Sequence, residues 1–174
     1  MKKVTLLVVM LAFFANISMA QNKERVNAFN YNKNAQSYIT TAEQLMVQNR
    51  VDKAQKQMAN AKIELTRAKT SIDLAAENEE TKNDAKTWHY YGVIYLKIAT
   101  YPEFNDIDTD ALSKCADAFR KLVELDETYF KNNYGEIITY IQSITTNYFN
   151  QGALAYEAGD YAKAIECYKQ AYNT

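Results

Sequence analysis

The 174-residue sequence is poor in the residues that make turns, with four glycines and one proline, against usual shares of roughly 7% and 5%. That scarcity leaves little turn chemistry for sandwiches, barrels or Gly-rich phosphate-cradling loops. A single histidine, His89, excludes a His pair for zinc, and the two cysteines are too far apart for a Cys-x-x-Cys metal or redox motif. Excess charge of one sign is also missing. Twenty Lys+Arg stand against 21 Asp+Glu, a net charge of −1, so no nucleic-acid partner is expected. No nucleophile sits beside a base, and no carboxylate pair stands apart from the helix-surface charges. The expectation is therefore not an enzyme, with no catalytic, cofactor-binding or metal-ligating residue and no cofactor. The segment Asn105-Asp106-Ile107-Asp108-Thr109-Asp110 echoes an alternating acidic calcium loop. Ala111 stands where that loop needs a turn glycine and Asp117 where it needs a bidentate Glu, so helix capping explains these acids more simply.

Hydrophobic residues make up 48% of the chain and charged residues 24%, enough to fold one domain around a core. Lys2 and Lys3 precede an apolar run from Val4 to Ala15, followed by the small-residue stretch Ser18-Met19-Ala20. This is the layout of a secretory signal peptide, residues 1–20, cleaved after Ala20. The run is shorter than the ~20 residues needed to span a bilayer, and no positive stop-transfer cluster follows it. No cysteine precedes Cys115, so nothing near the cleavage site can be lipidated. The expected mature chain is exported, to the periplasm, the cell surface or beyond, does not span a membrane, and carries 18 basic and 21 acidic residues, a charge of −3. Cys115 and Cys167 fall on separate expected helices. A bridge requires Cα atoms within about 7 Å, which spacing cannot decide, and free packing thiols are the favoured reading.

The body is expected to be all-α. After a lead-in at 21–33, Ala35, Tyr38, Ala42 and Leu45 step by three and four and place a first helix near Asn34–Gln48. Val51, Ala54, Met58, Ala61, Leu65, Ala68, Ile72 and Ala75 continue that spacing over 25 residues, the mark of a long amphipathic helix. Four alanines among those eight positions suit packing within one chain better than a coiled-coil dimer. Asn83 and Asp84 can cap a third helix from Ala85 to Thr100, with Trp88, Tyr91, Gly92, Tyr95 and Ala99 inward. A loop at Tyr101–Asp108 holds the single proline, and Asp108 or Thr109 is the expected cap of a fourth helix ending near Asp126. Its stripe is Leu112, Cys115, Phe119 and Leu122. Beyond a break at Asp126–Asn133, Ile137, Ile141, Ile144, Tyr148 and Gly152 trace a fifth helix, and a turn at Gly159-Asp160 leads to a sixth from Tyr161 to Tyr172.

The helices thus group as pairs at 34–77, 85–126 and 134–174. In the last pair, Tyr148, Gly152, Gly159-Asp160-Tyr161, Ala164, Ile165, Tyr168 and Ala171 resemble a tetratricopeptide repeat. Gln151 and Ala155 depart from the usual Leu and Tyr. In the middle pair, Trp88, Tyr91-Gly92 and Tyr95 are similar to the family's Trp-x-x-Leu-Gly-x-x-Tyr opening, and Cys115 to Phe119 stands for Ala-x-x-x-Phe, but the turn is longer and Glu127 replaces the usual proline. The first pair is degenerate. The chain resembles an exported bacterial tetratricopeptide-repeat protein, which implies an α-solenoid of about three antiparallel helix pairs. It implies a non-enzymatic adaptor or scaffold of the cell envelope that holds a partner protein or peptide in its concave face.

In such a stack, the stripe Lys86, His89, Val93 and Leu96 points away from the Trp88 face and toward the groove. Thr146, Phe149, Ala153 and Tyr156 form the matching stripe of the fifth helix. These eight residues are the candidate protein-binding positions, since interface energy concentrates in a few large side chains. Gap filling between pairs is the plainer reading of the same stripes. Most of the 14 tyrosines fall on packing positions, which weakens a carbohydrate-stacking reading. The alternative function is structural: end-to-end self-association through the last helix pair, whose outward apolar side has no capping helix in this sequence.

Overall fold

A computed structural model describes residues 2–174, with side chains from Lys23 to Thr174. It contains seven α-helices and, among the described residues, no strand: α1 (Lys2–Val47), α2 (Val51–Glu77), α3 (Ala85–Thr100), α4 (Ala111–Leu125), α5 (Glu127–Asn132), α6 (Tyr134–Glu157) and α7 (Tyr161–Asn173). The closest packing is within α1–α2, α3–α4 and α6–α7, and the pairs stack in chain order through α2 on α3 and α4 on α6. The expected leader, residues 1–20, lies outside the residues described with their side chains. Among the described residues no helix is long and apolar enough to cross a membrane.

The first pair is built on alanine. Ala28, Ala35 and Ala42 recur every seventh residue on α1, and Ala54, Ala61, Ala68 and Ala75 do so on α2, all essentially without exposure. Side chains this small let two helix backbones approach closely, while Ile39, Leu65 and Ile72 fill the space between them. A seven-residue period on both helices is the condition for a left-handed supercoiled pair. The helix does not begin at Asn34 as the sequence suggested: residues 23–33 already belong to α1. Charged and amide residues interleaved with the exposed Val26 and Phe29 hide that part of the ladder. Ala28 is buried, Arg25 pairs with the Asp84 carboxylate, and Asn32 accepts a 2.7 Å hydrogen bond from Lys97.

Both short turns close by left-handed caps. Asn49 has φ 56° and the Arg50 amide donates to the Leu45 carbonyl at 2.9 Å; Gly159 has φ 80° and the Asp160 amide donates to Ala155 at 2.9 Å. Asp84 and Asp160 cap α3 and α7 by accepting from the Lys86 and Lys163 amides. The residue at the start of α4 is Asp110, not Asp108 or Thr109. Asp108 instead accepts from the Asp110 amide at 3.0 Å and holds Lys114 at 2.7 Å and Lys69 at 3.5 Å, while Asp106 holds Lys62. The acids of the long loop therefore stitch α2 to α4. Burial alone would raise the Asp108 carboxyl, but the hydrogen bonds from Lys114 and the Asp110 amide and the nearby cations hold it below the ordinary range.

Helix α3 lies in the middle of the stack, and that position decides its exposure. Besides Gly92 and Tyr95 it buries Thr87, His89, Ile94, Leu96 and Ile98, whereas Trp88, Tyr91 and Ala99 are only half-buried. A helix covered on nearly every side cannot present a single inward stripe. Helix α5, six residues long, occupies what the sequence left as a break. Cys115 and Cys167 are both free and buried. Burial pushes the Cys115 thiol far above its usual range, and its Sγ donates to the Gly92 carbonyl at 3.2 Å.

Candidate functional site

The first helices of the three pairs, α1, α3 and α6, line a cleft of about 480 Å³. Its floor is Val93 and Leu96. Its walls carry Gln36 from α1, Lys97 and Thr100 from α3, Tyr101, and Thr139, Tyr140, Gln142, Ser143, Thr146 and Asn147 from α6. The α6 hydroxyls are partly engaged with their own helix: Thr139, Ser143 and Thr146 donate to carbonyls four residues back at 2.9–3.0 Å. Each of these hydroxyls keeps acceptor capacity beyond that bond. The lining contains no carboxylate. Lys97 is its cation; its ammonium donates to Asn32, and desolvation lowers its pKa to about 8.

Of the eight expected positions, Val93, Leu96 and Thr146 meet in this cleft. Lys86 is exposed near the start of α3, with its ammonium 5.7 Å from the centre of the Tyr90 ring. His89 is not a groove residue, because α5 and α6 close over it. It is 5% exposed, shares a 2.9 Å hydrogen bond with the Tyr129 hydroxyl, and lies among the rings of Tyr90, Phe119, Tyr129 and Tyr140. Desolvation lowers its pKa against the opposing pull of Glu136, so the imidazole is neutral at pH 7. Leu96 is a floor residue rather than an exposed anchor.

Phe149, Ala153 and Tyr156 do not line the cleft. Phe149 and Tyr156 are 58% and 61% exposed, but their rings contact Tyr168 and Tyr161 of α7, each at 5.4 Å between centroids. The stripe thus turns off the cleft and joins the outer face of the last pair. What the sequence missed is the polar wall, Gln142, Ser143, Asn147 and Thr139. Its signal was a run of hydroxyl and amide side chains on a helix whose other face is apolar. A second, more apolar depression of about 620 Å³ also went unread; it lies between the tip of the first pair and the loop after α3 and is lined by Ala42, Met46, Val51, Ala54, Met58, Ala59, Tyr101 and others.

The glycine–aromatic contacts give the two later pairs a shared design. A Cβ on Gly92 would stand 2.6 Å from the Phe119 ring, and one on Gly152 would stand 2.8 Å from the Tyr168 ring. In each pair, then, a glycine of the first helix receives an aromatic ring of the second. The middle pair separates these partners further in sequence, mostly because the ten loop residues 101–110 stand where the last pair has only 158–160.

This geometry agrees with what comparison with known proteins finds. Residues 146–173, which hold the second half of α6, the turn after it and the whole of α7, match the Tetratricopeptide repeat family. Neither the curated proteins nor the solved structures give a match. The described residues are therefore all-helical, and residues 146–173 are similar to a tetratricopeptide repeat, a type of unit that serves protein–protein interaction and is typically non-catalytic.

Proposed function

We propose that this protein is a non-enzymatic adaptor of the bacterial cell envelope that holds an extended segment of another protein in the cleft between α1, α3 and α6. The observation that carries this reading is the lining itself: three pairs contribute to one concave surface with an apolar floor, neutral hydroxyl and amide walls, and one cation. An apolar floor desolvates side chains of the bound segment. Hydroxyls and amides satisfy its backbone groups, which would otherwise be buried without partners. Export rests on the Lys2-Lys3, Val4–Ala15 and Ser18-Met19-Ala20 pattern.

A photo-crosslinking residue placed at Thr146, in the cleft, and at Thr66, exposed on α2, tests the reading in the protein's own cells. The expected outcome is a discrete adduct with another protein from position 146 and none from position 66, in protein recovered from the envelope and lacking residues 1–20. Equal labelling at both positions, or none at 146, overturns the cleft as the binding site. An intact N-terminus in a cytoplasmic fraction overturns export.

A further inference from the structure

Helix α7 buries Ala164 and Cys167 against its neighbours and turns a second stripe outward. Tyr161, Ile165, Tyr168 and Tyr172 follow at steps of four, three and four, all exposed, from 36% at Tyr168 to 91% at Tyr172. Gly152 lets the Tyr168 ring settle onto α6, and the ring contacts Phe149–Tyr168 and Tyr156–Tyr161 extend the stripe into one continuous aromatic platform. The unsatisfied fractions of these six side chains amount to an area on the order of 700 Å². Monomers seldom expose an apolar patch larger than roughly 300–600 Å², and a stable pairwise interface takes about 800 Å² from each partner.

We propose that the occupant of this platform is a second copy of the chain, docked by antiparallel pairing of α7 with α7 about a two-fold axis. The stripe is its own complement under that operation. Its 4-3-4 spacing is symmetric about its midpoint, so Tyr161 opposes Tyr172 of the second copy and Ile165 opposes Tyr168 of the second copy. The stripe itself carries no charge, and the same register sets Lys163 against Gln170, so no charge meets a like charge there. An isologous contact of this kind closes at two copies and does not propagate end to end. Tyrosine suits it, because the ring supplies apolar area while the hydroxyl remains at a wet rim. This surface is separate from the cleft, and its occupancy neither requires nor blocks a partner there.

The test is sedimentation velocity over a wide concentration range on the full chain as its own host produces it. A two-chain mass is expected. Ile165→Arg should give one-chain mass with unchanged helical circular dichroism, and Tyr172→Ser, at a side chain too exposed to matter for folding, should weaken the dimer about tenfold. Orientation is read by cysteine pairing: Tyr161→Cys combined with Tyr172→Cys should give an oxidised covalent dimer, while Tyr161→Cys alone should not. One-chain mass at every concentration overturns the proposal, as does a dimer indifferent to Ile165→Arg. Self-crosslinking by Tyr161→Cys alone overturns the antiparallel arrangement. Recovery of the chain with a different protein in equal amount, released by Ile165→Arg, overturns the second copy as occupant.

Discussion

Lys97 sits in the cleft wall with its ammonium on Asn32 rather than on a carboxylate, and the consequence is a pH dependence opposite to that of an ordinary ion pair. Its pKa in the folded chain is about 8, below the lysine reference of 10.5. Between those values the unfolded chain binds more protons than the folded one, so stability rises with pH across that window. Below about pH 8 both states are protonated and the full burden of burying the charge is present. Lys97→Met removes the charge at similar length. It should be more stable than wild type at pH 7, and its advantage should shrink by about 2 kcal/mol on going to pH 9.5, roughly 4–8 °C in Tm. Thermal melts of both proteins at the two pH values check this, and an advantage constant with pH would show that Lys97 is not desolvated. The window stops near pH 10 because Tyr101 and Tyr129, both pushed up to about 12 chiefly by burial, keep protons that the unfolded chain releases there and so reverse the slope. His89 is perturbed in the same downward direction by its burial, which makes it a neutral packing residue rather than a contact for a partner.

At the scale of elements, Gly92 and Gly152 occupy the same place in their helix pairs yet should answer differently to alanine. Alanine gains roughly 0.8–1 kcal/mol over glycine in a helix interior. At Gly92 the new methyl would meet Phe119, only 2% exposed and stacked on Tyr140, which has nowhere to go, and overpacking of this kind costs about 1–3 kcal/mol. At Gly152 it would meet Tyr168, 36% exposed, whose ring can swing outward. Gly92→Ala should therefore be destabilising, by up to about 2 kcal/mol net, and Gly152→Ala near neutral, measured as shifts of the urea midpoint at constant slope. The pairs themselves were legible in the sequence because long apolar stripes at 3,4 spacing leave no other solution. Helix α5 was not, since six residues carry no period, and neither was the helical character of residues 23–33, where Ala28 is the single buried residue and the apolar Val26 and Phe29 are exposed. The cleft was legible only in part: of the eight expected positions Val93, Leu96 and Thr146 fall in it. The fate of His89, Phe149 and Tyr156 depended on which faces α5, α6 and α7 cover, and no stripe on one helix can state that.

For the whole molecule, a stack of pairs in which each contacts mainly its neighbours is nearly one-dimensional, so local stability follows the number of faces an element has covered. Helix α3 is held by α1, α2, α4 and α6, whereas α7 rests chiefly on α6 and buries only Ala164 and Cys167. Hydrogen exchange under native conditions should accordingly show the slowest amides in α2, α3 and α4, with α7 exchanging by a separate and easier opening. A second copy on the α7 stripe adds a condition that a monomer cannot imitate. Docking must be undone before α7 opens, so the protection of α7 is linked to protein concentration by mass action. Raising the concentration tenfold through the dimerisation range should slow exchange in α7 several-fold while leaving α3 unchanged, and in Ile165→Arg the α7 rates should not respond to concentration at all. Concentration-independent α7 exchange in wild type would mean that its aromatic face is solvated in the native protein, and the easy opening of the last pair would then be a property of the single chain.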